Sequence, residues 1–197
     1  MKEKKISLTK EKRDALKKTK IIEAARKCVA YKGFHATSMN EIAKCANMSV
    51  GHIYHYFDNK NEIINGIVEH STQEHLQWIA STALRRDIAC FHIEYFKEKF
   101  VNDHEERALL LEIHAEAARN TVVAEMLTNA DILYRNLALL AVKPVFPNVP
   151  EDELKARIEL MANISESFLM RSIKKPSADS AKVDELLRHV IDQIWTE

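Results

Sequence analysis

The residues of this sequence most able to do chemistry lie together between positions 49 and 57, which read SVGHIYHYF. Ser49, His52, Tyr54 and His55 place hydroxyl and imidazole groups along this short stretch. Such groups donate hydrogen bonds to phosphate oxygens and to base edges. Two histidines three positions apart could also begin a metal site, but no third ligand lies nearby in the sequence. The stretch favours contact with a polar partner, with simple exposure as the alternative.

Helices must position this stretch, because glycine and proline are rare and apolar residues recur every three or four positions. We predict about nine helices and an all-α fold. The predicted helices cover residues 14–32, 39–45, 50–56, 60–83, 87–101, 103–119, 122–142, 151–174 and 181–195. Gly33 ends the first helix, and Ser38 and Ser49 cap the two short ones. These two short helices form a helix-turn-helix, whose second helix can enter a major groove.

The charge of the chain is unevenly distributed although its formal sum is zero. Residues 1–60 hold 14 Lys and Arg against 6 Asp and Glu, and the remainder holds 15 against 23. A basic first part can release counterions from a phosphate backbone, while an acidic remainder is repelled by it. The distribution is compatible with nucleic-acid binding, and a merely solvated lysine-rich tail is the alternative.

The apolar residues and the cysteines indicate a cytoplasmic protein. No apolar run approaches the roughly 20 residues that span a bilayer, and the lysine-rich start lacks the pattern of a signal peptide. Cys28, Cys45 and Cys90 form no CxxC pair and lie among apolar residues. We therefore expect reduced, buried thiols rather than disulfides or zinc ligands, with redox sensing as the alternative.

Several motifs in fixed register resemble the N-terminal domain of TetR-type regulators. They are GF at 33–34, ATSMNEIA at 36–43 and MSVGHIYHYF at 48–57, followed by Lys60. The resemblance implies a three-helix DNA-binding domain over 1–59 and a helical ligand-binding and dimerisation domain over 60–197. The sequence departs from the usual pattern at Asn47, where the turn normally has glycine. Asparagine tolerates a left-handed backbone, so we expect the turn to form.

The same resemblance assigns contacts with DNA. Phosphate-contacting positions fall on Thr37, Ser38, Ser49, Tyr54, Tyr56 and Lys60. Base-reading positions fall on Met39, Val50, Gly51, His52 and His55. We expect the Tyr54 hydroxyl and the Lys60 ammonium to hold phosphates, because both side chains are long enough to reach past the groove edge.

Aromatic, methionine and histidine side chains of the second part can line an adaptable apolar pocket, although each is more often ordinary core. The candidates are Trp78, Phe91, His92, Tyr95, His114, Met126, Tyr134, Met161 and Phe168. Arg and Lys are sparse here, which argues against a strongly anionic ligand. Helices 151–174 and 181–195 have wide apolar surfaces, which predicts a homodimer through a four-helix interface.

The resemblance implies a ligand-responsive transcriptional repressor that binds a palindromic double-stranded DNA operator as a dimer. A small hydrophobic effector would release it, and we expect no cofactor, no metal and no membrane partner. A helical protein-interaction adaptor without DNA binding is the alternative, but it leaves the polar side chains of 50–56 unexplained. An enzyme that uses His92, His114 or Glu112 is a further alternative. The spacing of these residues supports no nucleophile–base pair, so we expect no enzymatic activity.

Overall fold

The computed structural model describes residues 9–82, 93–174 and 179–196, and these residues contain helices and no β-strand. The helices are α1 (Lys10–Lys32), α2 (Met39–Ala46), α3 (Val50–Tyr54), α4 (Lys60–Thr82), the π-helix π1 (Lys97–Asn102), α5 (His104–Ala117), α6 (Thr121–Val142), α7 (Glu151–Arg171) and α8 (Ser180–Ile194). The prediction of an all-α fold is confirmed. Within the described ranges, no helix has the length and apolar character needed to cross a bilayer.

Local capping explains why α2 and α3 are separate helices. Ser38 and Glu41 form a capping box: the Ser38 hydroxyl accepts from the Glu41 amide at 3.3 Å, and the Glu41 carboxylate accepts from the Ser38 amide at 3.0 Å. The Ser49 hydroxyl accepts from the His52 amide at 3.2 Å and begins α3. Between the helices, Asn47 takes a left-handed conformation with φ 54°. The prediction that asparagine can form this turn is therefore confirmed.

Several helix boundaries differ from the prediction, by up to four residues. Helix α1 begins at Lys10 because the Thr9 hydroxyl accepts from the Lys12 amide, and α3 ends at Tyr54. The predicted helix over 87–101 falls partly outside the described residues, and its later part is wound as a π-helix. The Asp103 amide there donates to the Glu98 carbonyl, five residues back, at 3.0 Å. Apolar spacing does not distinguish this winding from an α-helix.

The main hydrophobic core runs without interruption from the first three helices into the remainder of the chain. Ile21 of α1 and Ile53 of α3 belong to the same buried cluster as Ile67 of α4, Leu109 of α5 and Val123 of α6. We call residues 9–59 the head and the described residues after them the body. The predicted boundary at 59/60 crosses this shared core, and the domain division stays a prediction.

The prediction of reduced, buried thiols is wrong for two of the three cysteines. The structure joins Cys28 of α1 and Cys45 of α2 in a disulfide. Cys28 is buried, whereas Cys45 is exposed. Their sequence separation of 17 gives no sign of the pairing, because the two positions meet only where α2 packs against α1. Cys90 lies outside the described residues.

Candidate nucleic-acid interface and ligand cavity

Helix α3 has one buried side and one exposed side. Ile53 and Phe57 are buried in the head core and fix the orientation of the helix. The opposite side is polar and open to solvent, and Tyr54 is 50% exposed there. We call this exposed set the recognition face; it consists of Ser49, Gly51, His52, Tyr54 and His55. A Cβ at Gly51 would meet no atom within 4 Å, so the backbone itself is accessible at this face.

Tyr56 supports the two histidines of the recognition face. The ring of His52 stacks on it with centroids 5.4 Å apart, and the ring of His55 meets its edge at 5.0 Å. The Tyr56 hydroxyl donates to Asp14 of α1 at 3.2 Å. Desolvation and the Asp14 carboxylate raise the pKa of Tyr56. The hydroxyl expected to contact phosphate thus already has an acceptor within the head.

The serines and the apolar members of the predicted contact set are placed differently. Ser38 and Ser49 are exposed, and their side chains cap the N-termini of α2 and α3. Helix N-termini of this kind suit phosphate oxygens. Met39 and Val50 are half-buried and pack against the head core. The structure therefore brings both serines, but only part of each apolar side chain, to the surface.

Two members of the predicted contact set, Thr37 and Lys60, make hydrogen bonds within the head. The Thr37 side chain is buried at 1% exposure, and its hydroxyl donates to the Gly33 carbonyl at 2.8 Å. The Lys60 ammonium donates to the carbonyls of Phe34 and Thr37 at 2.9 and 3.2 Å, and lies 4.0 Å from the Phe34 ring centroid. Desolvation lowers the pKa of Lys60. Both side chains hold the loop before α2 in place.

The described residues of the body line a partly open cavity of about 500 Å³ between α4, π1, α5, α6 and α7. Its wall is strongly aromatic: the rings of Trp78 and Tyr95 stack with centroids 4.2 Å apart, and the His75 ring meets Tyr134 at 4.6 Å. His75 Nδ1 lies 3.3 Å from the Tyr95 hydroxyl. Burial raises the pKa of Tyr134 above its ordinary value. This wall suits a ligand with an apolar or aromatic surface.

The cavity contains some, but not all, of the predicted pocket residues. Those that line it are Trp78, Tyr95, His114, Tyr134 and Met161. Met126 packs against the main core instead, and Phe168 joins a small cluster with Ile93 and Ile191. Phe91 and His92 lie outside the described residues.

Sequence reasoning missed several residues of the cavity wall. These are Thr72, His75, Lys99, Glu106, Asp131 and Arg135. His75 could have been found, because it lies one helical turn before Trp78 on the same side of α4. The sequence gives no such signal for the charged residues, because their side chains reach the cavity only through the way in which π1 and α6 pack.

Each of the two cations that line the cavity among the described residues has carboxylate partners. The Lys99 ammonium lies 2.9 Å from a Glu74 oxygen and 3.3 Å from a Glu106 oxygen. Arg135 lies 2.7 Å from Asp131. Burial lowers the pKa of His114, which favours its neutral form. Within the described part of the wall, the positive charges of Lys99 and Arg135 are thus balanced by carboxylates.

Helix α5 joins the cavity wall to the head through carboxylates. Glu106 pairs with Arg26 of α1 as well as with Lys99. The carboxylate of Glu112 accepts from the Phe34 amide at 3.0 Å, and Glu116 lies 3.1 Å from His35 Nε2. A displacement of α5 would therefore act directly on α1 and on the loop before α2. Glu112 is used in this junction and His114 lines the cavity, so the two do not form a catalytic pair.

Comparisons with known proteins agree with this architecture. The family model described as bacterial regulatory proteins, tetR family, matches residues 21–67. The HTH-type transcriptional regulator UidR of Escherichia coli K12 is 37% identical over 117 residues, which cover 57% of each chain. The Staphylococcus epidermidis negative regulator of the icaADBC biofilm operon, IcaR, is 28% identical over 112 residues, 55% of this chain and 58% of that one. The chain thus matches little more than half the length of these curated relatives.

Solved structures extend the likeness beyond the head. Salmonella enterica GusR superposes with a TM-score of 0.76 at 26% identity, over 95% of this chain and 97% of that one. The matched proteins are regulators, in agreement with the expectation that the chain is not an enzyme. Residues 21–67, which contain the helix-turn-helix of α2 and α3, thus belong to the tetR family of bacterial regulatory proteins, and the fold of the chain is similar to that of GusR.

Proposed function

We propose that this protein is a DNA-binding transcriptional repressor whose head contacts an operator through the recognition face. The observation that carries the proposal is the exposed polar side of α3, held by the buried side chains of Ile53 and Phe57. Exposed imidazoles and a tyrosine hydroxyl beside an accessible glycine backbone are suited to base edges and phosphates. The capped N-termini of α2 and α3 supply further donors for phosphates.

A duplex containing the DNA that flanks the protein's own gene tests this function by electrophoretic shift. Tyr54→Phe removes one exposed hydroxyl and should weaken binding about tenfold, the effect of roughly 1.4 kcal/mol. Tyr31→Phe is the matched control, because Tyr31 is 90% exposed at the far end of α1. Equal affinities of the two variants would remove Tyr54 from the interface. Failure of the wild type to bind any duplex would favour a protein-interaction adaptor.

We propose further that the protein acts as a homodimer in the cytoplasm. Exposed apolar side chains support a partner for α7 and α8: Leu160 and Met170 on α7, and Leu186 and Val190 on α8, are each 48–58% exposed. Leu186→Glu with Val190→Glu should convert the dimer to a monomer in sedimentation velocity. Leu140→Glu is the control, since Leu140 of α6 is 70% exposed but lies outside this surface. A two-fold dimer would read a palindromic operator.

The cavity of the body supports a small, mostly apolar effector that releases the protein from DNA. Its aromatic wall would contact the effector, and Glu106 would pass a change in π1 or α5 to Arg26 of the head. A thermal-shift screen of apolar and aromatic compounds, followed by displacement from the operator, tests this role. Ala162→Phe places a ring in the cavity wall and should abolish the shift while leaving operator binding intact. A persisting shift would place the effector elsewhere.

A further inference from the structure

The first three turns of α1 bury almost nothing. Between residues 10 and 20 every side chain is exposed except that of Asp14, which is partly buried, and the first core residue of the helix is Ile21. Most helical stability in proteins comes from a packed apolar face, which this segment lacks. The helix nevertheless begins about 16 Å before Ile21, at 1.5 Å per residue. Core packing therefore does not account for this segment.

This segment has a strong excess of positive charge. Residues 10–20 contain six Lys and Arg against two acidic residues, and one of those two, Asp14, already accepts from Tyr56. None of the six basic residues forms an ion pair within the described ranges. Like charges three and four positions apart on a helix repel one another. A polyanion laid along the helix would remove that repulsion.

Four of these residues share one side of the helix, at the spacing 10, 13, 17 and 20. We call this set the basic stripe; it consists of Lys10, Arg13, Lys17 and Lys20. Two of them flank Asp14, one turn before and one turn after it. The hydrogen bond from Tyr56 to Asp14 and the contact of the Lys18 ammonium with the Phe57 ring, 6.0 Å from its centroid, hold α1 beside the stripe against the residues that directly follow α3. The basic stripe therefore borders the recognition face.

We propose that the basic stripe is a second phosphate-binding surface, which runs along the DNA backbone beside the groove that α3 enters. This inference rests on the proposed DNA-binding function and extends it to a part of the chain before the residues 21–67 that match the family model. Lysine and arginine in such a position bind phosphate without reading sequence. They raise affinity for operator and for unrelated duplex alike, and the gain depends steeply on salt.

The test measures salt dependence with the full-length protein. The probe is a fluorescein-labelled duplex of about three helical turns, selected by the wild type from a random pool, and an unrelated duplex of equal length is the second probe. The quadruple variant Lys10→Gln, Arg13→Gln, Lys17→Gln and Lys20→Gln keeps helix-forming side chains but removes the charge. The slope of log K against log salt should fall by about 0.9 for each phosphate that the variant no longer neutralises, up to about 3.6 per head. Affinity should fall for both duplexes, and circular dichroism should be unchanged.

A single pair of variants provides the matched control. Lys17→Gln should lower the slope by about 0.9. Lys12→Gln removes the same charge from a different side of the same helix, where Lys12 lies with Ala15, Leu16 and Thr19, and should leave the slope unchanged. Equal effects of the two variants would show a diffuse charge effect and overturn the assignment of the stripe.

The remaining outcomes separate the role of the stripe from the proposed function. A wild type that binds no duplex would contradict both. A wild type that binds, together with a quadruple variant of unchanged affinity and slope, would overturn the basic stripe alone. Loss of binding to phosphatidylglycerol vesicles in the variant, with DNA affinity unchanged, would assign the stripe to a membrane surface and would also overturn the proposal.

Discussion

Arg26 of the head and Glu106 of the body form a buried ion pair where α1 packs against α5. The side chain of Arg26 is 14% exposed and that of Glu106 is 7% exposed. Arg26 also donates to the Ser71 hydroxyl at 2.8 Å, and Glu106 pairs with Lys99 of the cavity wall. The pair therefore joins the two parts of the chain that must communicate if an effector is to change DNA binding.

Removal of one partner from this ion pair should destabilise the protein strongly. We expect Arg26→Ala to lower the free energy of unfolding by about 2–3 kcal/mol, because it leaves the buried Glu106 carboxylate with only its contact to Lys99. Urea unfolding followed by circular dichroism measures the change. Lys32→Ala breaks the more exposed pair with Glu41 and should cost less than about 1 kcal/mol. Equal losses in the two variants would contradict a special role for Arg26.

Gly51→Ala should separate stability from DNA binding. A Cβ at this helical position meets open space, so alanine should stabilise the protein by about 0.5–1 kcal/mol. The same methyl group would stand on the recognition face and should weaken operator binding by about tenfold or more, as measured by fluorescence anisotropy. An increase in stability without a decrease in affinity would show that the backbone of α3 does not approach the DNA closely at this point.

Gly33→Ala should have the opposite effect on stability. Gly33 has φ +84°, a conformation that side chains rarely adopt, and an added Cβ would lie 3.1 Å from the Glu112 carboxylate. We expect a loss of about 1–3 kcal/mol in urea unfolding. The carboxylate contact can be tested with Gly33→Ala in a Glu112→Ala background, where the loss should be smaller but not absent. A neutral Gly33→Ala would contradict the backbone argument.

Reduction of the disulfide between Cys28 and Cys45 should loosen α1 from α2. A closed loop of this length stabilises a fold by about 3 kcal/mol in the chain-entropy model, so dithiothreitol should lower the unfolding midpoint. Thiol titration of the native protein before and after reduction should detect two additional thiols. The variant Cys28→Ser with Cys45→Ser should unfold identically with and without dithiothreitol. If dithiothreitol did not change the unfolding midpoint of the wild type, the disulfide would add no stability.

Alkaline pH should destabilise the protein through Tyr95 of the cavity wall. Burial, together with the nearby Glu74 carboxylate, raises the pKa of Tyr95 above its ordinary value near 10. The unfolded state therefore loses this proton before the folded state does, and the free energy of unfolding falls as pH rises above about 10. Tyr95→Phe should flatten this fall in urea unfolding at several pH values. Tyr31→Phe, which removes a 90% exposed hydroxyl, should reproduce the wild-type profile.

The sequence alone was sufficient to predict the helix-turn-helix, because the interactions that define this motif are local. The Ser38 and Ser49 caps and the left-handed Asn47 join residues no more than five positions apart, so residue type and spacing predict them. The same holds for the buried Ile53 of α3, whose place follows from helical periodicity. The composition of the recognition face could be inferred for this reason before any tertiary contact was known.

Only the tertiary structure decided which distant side chains meet. The Lys60 ammonium supports the loop before α2, because it donates to carbonyls 23 and 26 positions earlier in the chain. Cys28 and Cys45 meet through the packing of two helices, and Lys99 and Glu106 enter the cavity wall through the winding of π1 and the position of α5. Such contacts depend on how helices pack rather than on periodicity within one helix, so the sequence pattern contained no signal for them.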